Sequence, residues 1–530
     1  MAVALAVAAA GMVQAAAVDR PTRDELLAIY RAGPEAMLAL VEALLDRIAA
    51  LERANAALET ANAQLTQANA ALAARVQGLE DRLARDSHNS SKPPSSDWGP
   101  REKPAPRSLR PPPGTSGRPT GGQPGHPGTT LRPVDTPDRV VLHRPLAPQC
   151  GACGAALAGG NEHLDAERRQ VVDLPPPRLE VAEHRVVRVA CPACGAETAG
   201  AFPVGVTQPV QYGDRLKAAG VYLHAYQLVP YARTQEVLED LFGAAPSEGT
   251  LQAAEMACGA GLVSVEAAIA AALRQASVGH FDETSVRVDG HRAWWHVAST
   301  ATLTSYGVHP RRGTGALDAL GILPGFTGVA VHDAYASYLI YPDCAHALCN
   351  AHLLRELIFL HEHHHQAWAD ALATLLVAAK DLADAARAAG QDHLDEETVA
   401  TIAAHYDHLL ARGHAANPPS VPPPAAPPKQ GRPRRTPEQN LLARLTTHRA
   451  AVLAFVHDLR VPFDNNQAER DLRMLKVQQK ITGGFRTTTG AATFARIRGY
   501  ISTLRKQGLV VLTALESVFA GSPLMPSLAS

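Results

Sequence analysis

Residues 278–288 read Val278-Gly-His-Phe-Asp282-Glu-Thr-Ser-Val-Arg-Val288, an apolar–polar alternation that ends two residues before Gly290. Alternation of this length is the signature of a strand with one face buried, and the glycine marks its turn. Two further runs follow, Trp294-Trp-His-Val297 and Thr304-Ser-Tyr-Gly-Val308, which predict the next strands of a meander. Around Gly315 to Leu320 a helix is expected. Gly328-Val-Ala-Val-His-Asp333 then reads as another buried strand with a carboxylate at its end.

Strand, strand, strand, helix, strand is the opening order of a ribonuclease-H-like fold. In such a sheet Asp282 and Asp333 would lie side by side. Adjacent carboxylates repel unless a cation sits between them, so the pair implies a divalent metal. A third acid is expected from a later helix, and Phe463-Asp-Asn-Asn-Gln-Ala-Glu469-Arg-Asp-Leu-Arg473 offers it where a helix begins. Asp464 is placed as its cap and Glu469 within it. Three oxygen ligands suit Mg²⁺ or Mn²⁺, and two such ions would clamp the attacking and leaving oxygens of a phosphodiester. Glu283, Asp343 and Asp471 are expected to be solvated charges or surface pairs.

Beyond Glu469 the charge is one-sided. Nine Lys or Arg between Arg470 and Lys506 face the single acid Asp471. Arg470, Arg473, Lys476, Lys480 and Arg486 are the candidate DNA contacts, the last on a Gly483-Gly-Phe-Arg486 turn expected to be flexible. The 136 residues from Asp333 to Glu469 exceed what a bare core needs, so an insertion is implied. It reads as helical from Ala367 to Leu410 and then breaks into Asn417–Pro437, where Gly431-Arg-Pro-Arg-Arg435 is a small basic motif. Before the insertion, Cys349 and His352 stand three apart on one helical face, with Cys344 and His346 nearby. A second metal is geometrically possible there, but no second pair matches it, and a structural or DNA-facing role is the expectation. His361-Glu-His-His-His365 reads as a solvated helix end.

Upstream, residues 213–272 read as helices. Tyr231–Phe242 carries an apolar stripe, Gly243-Ala-Ala-Pro-Ser247 breaks it, and Ser247 is placed to cap the next helix. Helix, turn and helix suits a DNA-reading helix-turn-helix and ordinary helix packing equally. Before it stand Cys150-Gly-Ala-Cys153 and Cys191-Pro-Ala-Cys194, joined by strand-like alternation that includes Val181–Val189. Two such knuckles predict one closed four-thiolate zinc site at Cys150, Cys153, Cys191 and Cys194, structural because it leaves no open position. Residues 88–133 are rich in Pro, Gly and Ser and cannot bury a core. Lys92, Arg101, Lys103, Arg107, Arg110 and Arg118 there outnumber Asp97 and Glu102, which suits either phosphate neutralisation or a solvated tether.

Still earlier, Leu44, Leu51, Leu58, Leu65, Leu72 and Leu79 recur every seven residues, with Val41, Ile48, Asn55, Asn62, Asn69 and Val76 at the alternate core position. Leucine at d with repeated asparagine at a predicts a parallel coiled coil in fixed register, hence a homodimer or higher oligomer. The alternative is a helix packed on its own protein. The apolar stretch Ala2–Val18 lacks a basic n-region and is followed by this heptad pattern rather than a disulfide domain, which argues against a signal peptide.

The composition agrees. A chain of 530 residues with 46% hydrophobic content can bury several cores, and its net charge of −1 excludes a uniformly basic nucleic-acid coat. Seven cysteines, four of them in two pairs, favour metal over a disulfide scaffold, so a reducing cytoplasm is expected. No stretch is long and apolar enough to span a bilayer, and no membrane partner is expected.

From about residue 40 onward the chain resembles the insertion-sequence-66 family of bacterial transposases, a DDE-type family. The motifs that carry the resemblance are HNSSKPPSSD, GRPTGGQPGHPG, the paired Cys-x-x-Cys, Tyr231–Thr250, FDET, the strand ending in HDAY, Cys349-Asn-Ala-His-Leu-Leu-Arg-Glu356, and DNNQAERDLRMLKVQQKITGGFR. The resemblance implies cutting and joining of double-stranded DNA at element ends and target, with Asp282, Asp333 and Glu469 as the acidic triad. It also implies that Cys349, His352, Arg355 and Glu356 lie close to that triad, in roles it does not specify, and it admits helper proteins of the same element.

The expected architecture is therefore multidomain α+β. An unassigned segment (1–36) precedes the coiled coil (37–86), the basic linker (87–138) and the zinc ribbon (139–205). A helical, helix-turn-helix-like segment (206–275) leads to the first part of a ribonuclease-H-like α/β catalytic domain (276–358). A helical insertion with a Pro-rich loop (359–460) separates it from the second part with its basic helix (461–520). A stand-alone nuclease, or a DNA-binding regulator derived from a transposase, are the alternative functions. The first would not need the coiled coil and two DNA-binding modules; the second would be expected to lose a carboxylate.

Overall fold

The computed structural model describes residues 22–86, 89–90, 131–144, 146, 148–160, 168–175, 177–419 and 435–529. The apolar N-terminal stretch, most of the basic linker and residues 431–434 of the small basic motif lie outside them. Two compact units emerge, residues 1–101 with 355–367, and residues 102–354 with 368–530.

The first unit opens with α1 (Arg23–Arg31), started by a capping box in which Thr22 and Glu25 satisfy each other's backbone amides. Gly33 then breaks the chain, and Pro34 sits in the first turn of α2 (Pro34–Ala84), a helix of 51 residues. None of its residues is buried, and Leu44, Leu51, Leu58, Leu65, Leu72 and Leu79 are all exposed. The heptad expectation of one long helix is met. Segment 355–367 accepts the end of α2: His364 Nε2 lies 3.0 Å from Asp81 Oδ1, and the Arg85 guanidinium stands 5.0 Å over the Phe359 ring. The histidine run is therefore engaged rather than only solvated.

The second unit begins with the cysteine knuckles. Gly154 and Gly195 take positive φ of 73° and 75°, and their amides return to the carbonyls of Cys150 and Cys191 at 2.9 and 2.8 Å. Of the expected Val181–Val189 strand only its end pairs, as β1 (Arg188–Ala190) against β2 (Glu197–Ala199). Alternation was not enough there, because both short strands are exposed on every residue and no core rewards a longer pairing.

Helices then follow: α3 (Asp214–Val221) running into a π-turn at Tyr222–Tyr226, α4 (Tyr231–Phe242), α5 (Glu248–Gly261) and α6 (Val263–Arg274). Gly243 ends α4 in the left-handed conformation, and the Ser247 hydroxyl caps α5 by accepting from Thr250. Arg498, itself buried, donates to the carbonyls of Ala225 and Tyr226 that the π-turn leaves without a normal helical partner.

A five-stranded sheet holds the centre: β3 (Val278–Val288), β4 (His291–Ser299), β5 (Thr304–His309), then α7 (Thr314–Leu320), β6 (Val329–His332) and β7 (Ala345–Leu348). The strand order is β5-β4-β3-β6-β7, antiparallel in the meander and parallel from β3 to β7. Val288 pairs with His291 across Asp289-Gly290, both at positive φ, the two-residue turn that matches strand twist. β7 was not anticipated: its Ala-His-Ala-Leu carries no β-branched residue, unlike the equally short Val-Ala-Val-His of β6.

The remaining helices are α8 (Asn350–His364), α9 (Ala367–Ala388), α10 (Glu396–Ala416), α11 (Pro437–Thr447), the short α12 (Arg449–Val452) and α13 (Ala454–His457), α14 (Asn466–Thr482), α15 (Thr488–Lys506) and α16 (Val511–Phe519). On one sheet face Trp295 packs with Phe485 and Phe494 at ring-centroid distances of 5.6 and 6.0 Å, which seats α14 and α15 there. On the other face Leu320 of α7 fills the space above Gly307, where a Cβ would meet its Cδ2 at 1.9 Å. The turn at Gly483-Gly484 is not flexible as expected. Phe485 forms a bridge to Val288, its amide donating to Arg287 O at 2.9 Å and its carbonyl accepting from Asp289 N at 2.8 Å. Among the described residues no single helix is long and apolar enough to cross a membrane.

Candidate functional site

Parallel pairing of β3 with β6 sets His280 opposite Val331, so Asp282 falls abreast of Asp333, the residue that follows β6. Each carboxylate is held by a backbone amide, Asp282 by Glu283 N at 2.8 Å and Asp333 by Tyr335 N at 2.9 Å. Glu469 arrives in the first turn of α14, on the sheet face that Asp282 also occupies. Asp282, in the middle of β3, and Asp333 thus flank the end of β6, and Glu469 stands close enough for its charge to reach Asp282, but the three carboxylates do not all meet within 4.8 Å of one another. Their mutual field is visible in Asp282. Burial, then the charge of Glu283, and further those of Asp333 and Glu469 push its carboxyl up to about 8.

Asn465 anchors this arrangement, and sequence reasoning missed it. Expectation put the cap of α14 on Asp464, yet the N-cap position falls on Asn465, whose side chain caps nothing. Instead its Nδ2 donates to Phe281 O at 2.8 Å, its Oδ1 meets His280 Nδ1 at 2.8 Å, and its amide donates to Cys349 Sγ at 3.2 Å. One residue, 2% exposed, ties the strand of Asp282, the start of α8 and the helix of Glu469. Asp464 accepts from Asn466 N at 3.0 Å instead. The Asp-Asn-Asn run at the helix start was the available signal, since a cap box with spare amides frees one for another task.

Cys349 and His352 join the same corner. His352 Nε2 lies 3.8 Å from Glu469 Oε1, and the ligand atoms of Cys349, His352 and Glu469 all stand within 4.8 Å of one another. Burial pushes the Cys349 thiol up to about 11. Arg355 and Glu356, the next turn of α8, belong to the first compact unit.

Two acids expected to be solvated are not. Glu283 points to the opposite sheet face, where its 2% exposed side chain pairs with Arg312 and accepts from Tyr338 OH. Arg312 in turn stacks on the rings of Tyr335 and Trp294, 3.9 and 4.8 Å from their centroids. Asp471 bonds Lys506 Nζ at 2.9 Å, both side chains nearly enclosed. Asp471 neutralises an ammonium that is nearly enclosed, whereas Arg312 keeps 36% of its side chain exposed beside the buried Glu283.

That pairing also thins the basic set. Arg496 is taken by Glu266, Arg498 by the π-turn carbonyls and Lys506 by Asp471. The five predicted contacts, Arg470, Arg473, Lys476, Lys480 and Arg486, all remain exposed, although Lys476 also donates to Ser285 O at 3.1 Å. Four of them recur along α14 opposite its buried Ala468, Leu472 and Leu475. A cationic helix face beside an acidic cluster is the result.

At the knuckles, backbone amides of Ala152 and Cys153 hold the Cys150 thiol below its usual range, and those of Ala193 and Cys194 do the same for Cys191. Such donors favour thiolate, the form that ligates metal. Each pair is formed as a knuckle, but among the described residues only Cys349, His352 and Glu469 meet the mutual separation of 4.8 Å. The four knuckle thiols do not stand together as one cage.

A mixed α/β protein with Asp282 and Asp333 abreast in its sheet, a face of exposed cations on α14 and a two-knuckle cysteine module has the parts of a protein that handles a polyanion. Residues 209–493, more than half of the chain, match the family described as the transposase IS66 family, and the chain belongs to it. Residues 148–195, spanning both knuckles, match the zinc-finger binding domain of transposase IS66, and residues 34–132 match a family of unknown function. No curated protein matches the chain.

Proposed function

We propose that this transposase is of the DDE type, with Asp282, Asp333 and Glu469 as its catalytic carboxylates on a ribonuclease-H-like core. The strand order β5-β4-β3-β6-β7 supports that core, and the register that sets Asp282 abreast of Asp333, with Glu469 in the first turn of α14, supports the triad. No packing rule favours three acids from two strands and a helix more than a hundred residues away, because their repulsion costs stability. The donor set is all carboxylate oxygen, which fits Mg²⁺ or Mn²⁺, and two ions would be held by the three acids. When bound, such ions supply charge neutralisation at the attacking and leaving oxygens of a phosphodiester.

The chain's residues orient the rest. Asp282 and Asp333 are aimed by their amide bonds, and Glu469 is set by the Asn465 ties of its helix. Water would add to phosphorus at the element end, breaking the P–O3′ bond and leaving a 3′-hydroxyl. That hydroxyl would attack a target phosphodiester, forming one P–O bond and releasing the target's own 3′-oxygen, so no protein-bound intermediate is required. Arg470, Arg473, Lys476, Lys480 and Arg486 would neutralise backbone phosphates of double-stranded DNA, each adding about 0.9 to the salt slope. Cys150, Cys153, Cys191 and Cys194 would hold one structural Zn²⁺, their knuckles closing on it. The α2 leucine seam would pair two copies in parallel, and the protein would act in the cytoplasm.

The test is metal-dependent joining of a pre-cut element end. Glu469→Gln should abolish joining while leaving DNA affinity within about threefold, since binding rests on the cationic face. Near-normal joining by that variant removes Glu469 from the triad. Cleavage without joining by the unaltered protein would instead identify a nuclease.

A further inference from the structure

We propose that Cys349, His352 and Glu469 form a second, thiolate-containing site for a transition-metal cation of the Zn²⁺ class, which shares Glu469 with the carboxylate cluster. The inhibitory consequence drawn below rests on the triad reading; the site itself does not. Cys349 closes β7, His352 lies in the first turn of α8, and Glu469 comes from α14, yet their ligand atoms converge within 4.8 Å. Ligands about 2.0–2.3 Å from a tetrahedral ion stand roughly 3.3–3.8 Å apart, so closure needs shifts of about 1 Å. The His352–Glu469 pair is already at 3.8 Å.

The setting favours metal over a bare thiol. Cys349 is 2% exposed, so burial keeps its thiol protonated until a metal displaces the proton, and the Asn465 amide donates to the sulfur at 3.2 Å. Binding releases one proton: the Cys349 S–H bond breaks, an S–metal bond forms and the proton leaves to water. Thiolate, imidazole and one carboxylate make a soft-to-borderline set that Mg²⁺ does not choose, whereas three carboxylates make a hard one. Three protein ligands also leave a fourth position open, unlike the closed four-cysteine site. Glu469 therefore belongs to two sites with different metal preferences. A Zn²⁺ ion at Cys349 and His352 takes Glu469 from Asp282 and Asp333, and so turns off chemistry that runs on Mg²⁺.

The experiment uses the full-length protein with its cysteine knuckles loaded with Zn²⁺, titrated with Co²⁺ as a spectroscopic probe. One further equivalent of Co²⁺ should bind with a sulfur-to-cobalt band in the near ultraviolet. Cys349→Ser and His352→Asn should each lose that equivalent. Asp282→Asn and Cys150→Ser should keep it, the first because Asp282 is not a ligand and the second because its band belongs to the other site. His352 is half-buried, so its variant remains informative even if the change at buried Cys349 disturbs folding. Retention of the equivalent and its band in both Cys349→Ser and His352→Asn overturns the site. In the joining assay, the Zn²⁺ concentration that halves Mg²⁺-supported activity should rise about tenfold or more in His352→Asn, measured against that variant's own zinc-free rate. An unchanged midpoint overturns the inhibitory role. If Co²⁺ binds as expected but Asp282→Asn still joins DNA, the triad reading fails and the metal site stands.

Discussion

Asp282 carries the electrostatic tension of the acidic cluster, and that tension has a sign. Its carboxyl is pushed up to about 8, above the ordinary value near 3.9, so the fold favours the protonated form. The stabilising contribution of that proton is complete below about pH 4 and is lost as pH rises through 8. Without added divalent ion, Asp282→Asn should therefore melt above the unaltered protein at pH 8.5, with the gap narrowing toward pH 5. Added Mg²⁺ should raise the melting temperature of the unaltered protein and close the gap, because a bound cation replaces the proton. A gap independent of pH would show that Asp282 is not under strain. Asn465 offers the second test at this scale. Asn465→Ala removes the bonds to His280 and Phe281 and leaves a buried carbonyl unpaired, at a cost of about 2–4 kcal/mol in denaturant melts. Its joining rate should fall further than its DNA affinity, since the lost ties aim Glu469 and touch no phosphate.

Among the elements, α2 and the β3–β4 hairpin answer to different forces. α2 exposes its whole leucine seam over 51 residues, an apolar stripe that a lone helix in water does not keep. Leu58→Lys with Leu65→Lys should convert a dimer to a monomer in light scattering, with the sheet domain's melt unchanged. Asn62→Leu should strengthen association while broadening the oligomer number, because asparagine at a costs stability and specifies register. The turn at Gly484 is held by packing instead. Gly484 takes φ of 150°, and a Cβ there would meet Arg287 O at 2.6 Å. Gly484→Ala should cost about 2–3 kcal/mol and lift Phe485 off Trp295, which tryptophan emission would report. Unchanged emission would mean the turn is not what seats that ring.

In the whole molecule the cysteine module and the sheet domain have separate sources of stability. β1 and β2 are exposed on every residue and bury no core, so on the zinc reading proposed above this region would depend on its metal, whereas the sheet rests on Trp295, Tyr306, Phe326, Phe494 and their neighbours. Chelation should release one Zn²⁺ per chain and raise hydrogen exchange across residues 148–199, leaving exchange in β3 to β6 unchanged. Exchange rising in both regions would show that the two fold as one.

Local pattern was sufficient wherever a residue's neighbours along the chain decided its state. Period two located β3, β4 and β5. Period seven located α2. Gly243 and Ser247 bounded α4 and α5 to the residue, because caps act within one turn. The positions of Asp282 within the first strand, Asp333 after the end of β6 and Glu469 in the first turn of α14 were legible for the same reason. What pairs with what across the fold was decided only by tertiary structure. Glu283 and Asp471 have ordinary polar surroundings in sequence, but burial joins them to Arg312 and Lys506, residues that come later in the chain. Asn465 left its capping role for bonds to β3 and Cys349, and Cys349 and His352 found their third ligand more than a hundred residues away. Such contacts depend on which desolvated groups meet once the sheet and helices close, a condition that no local periodicity encodes.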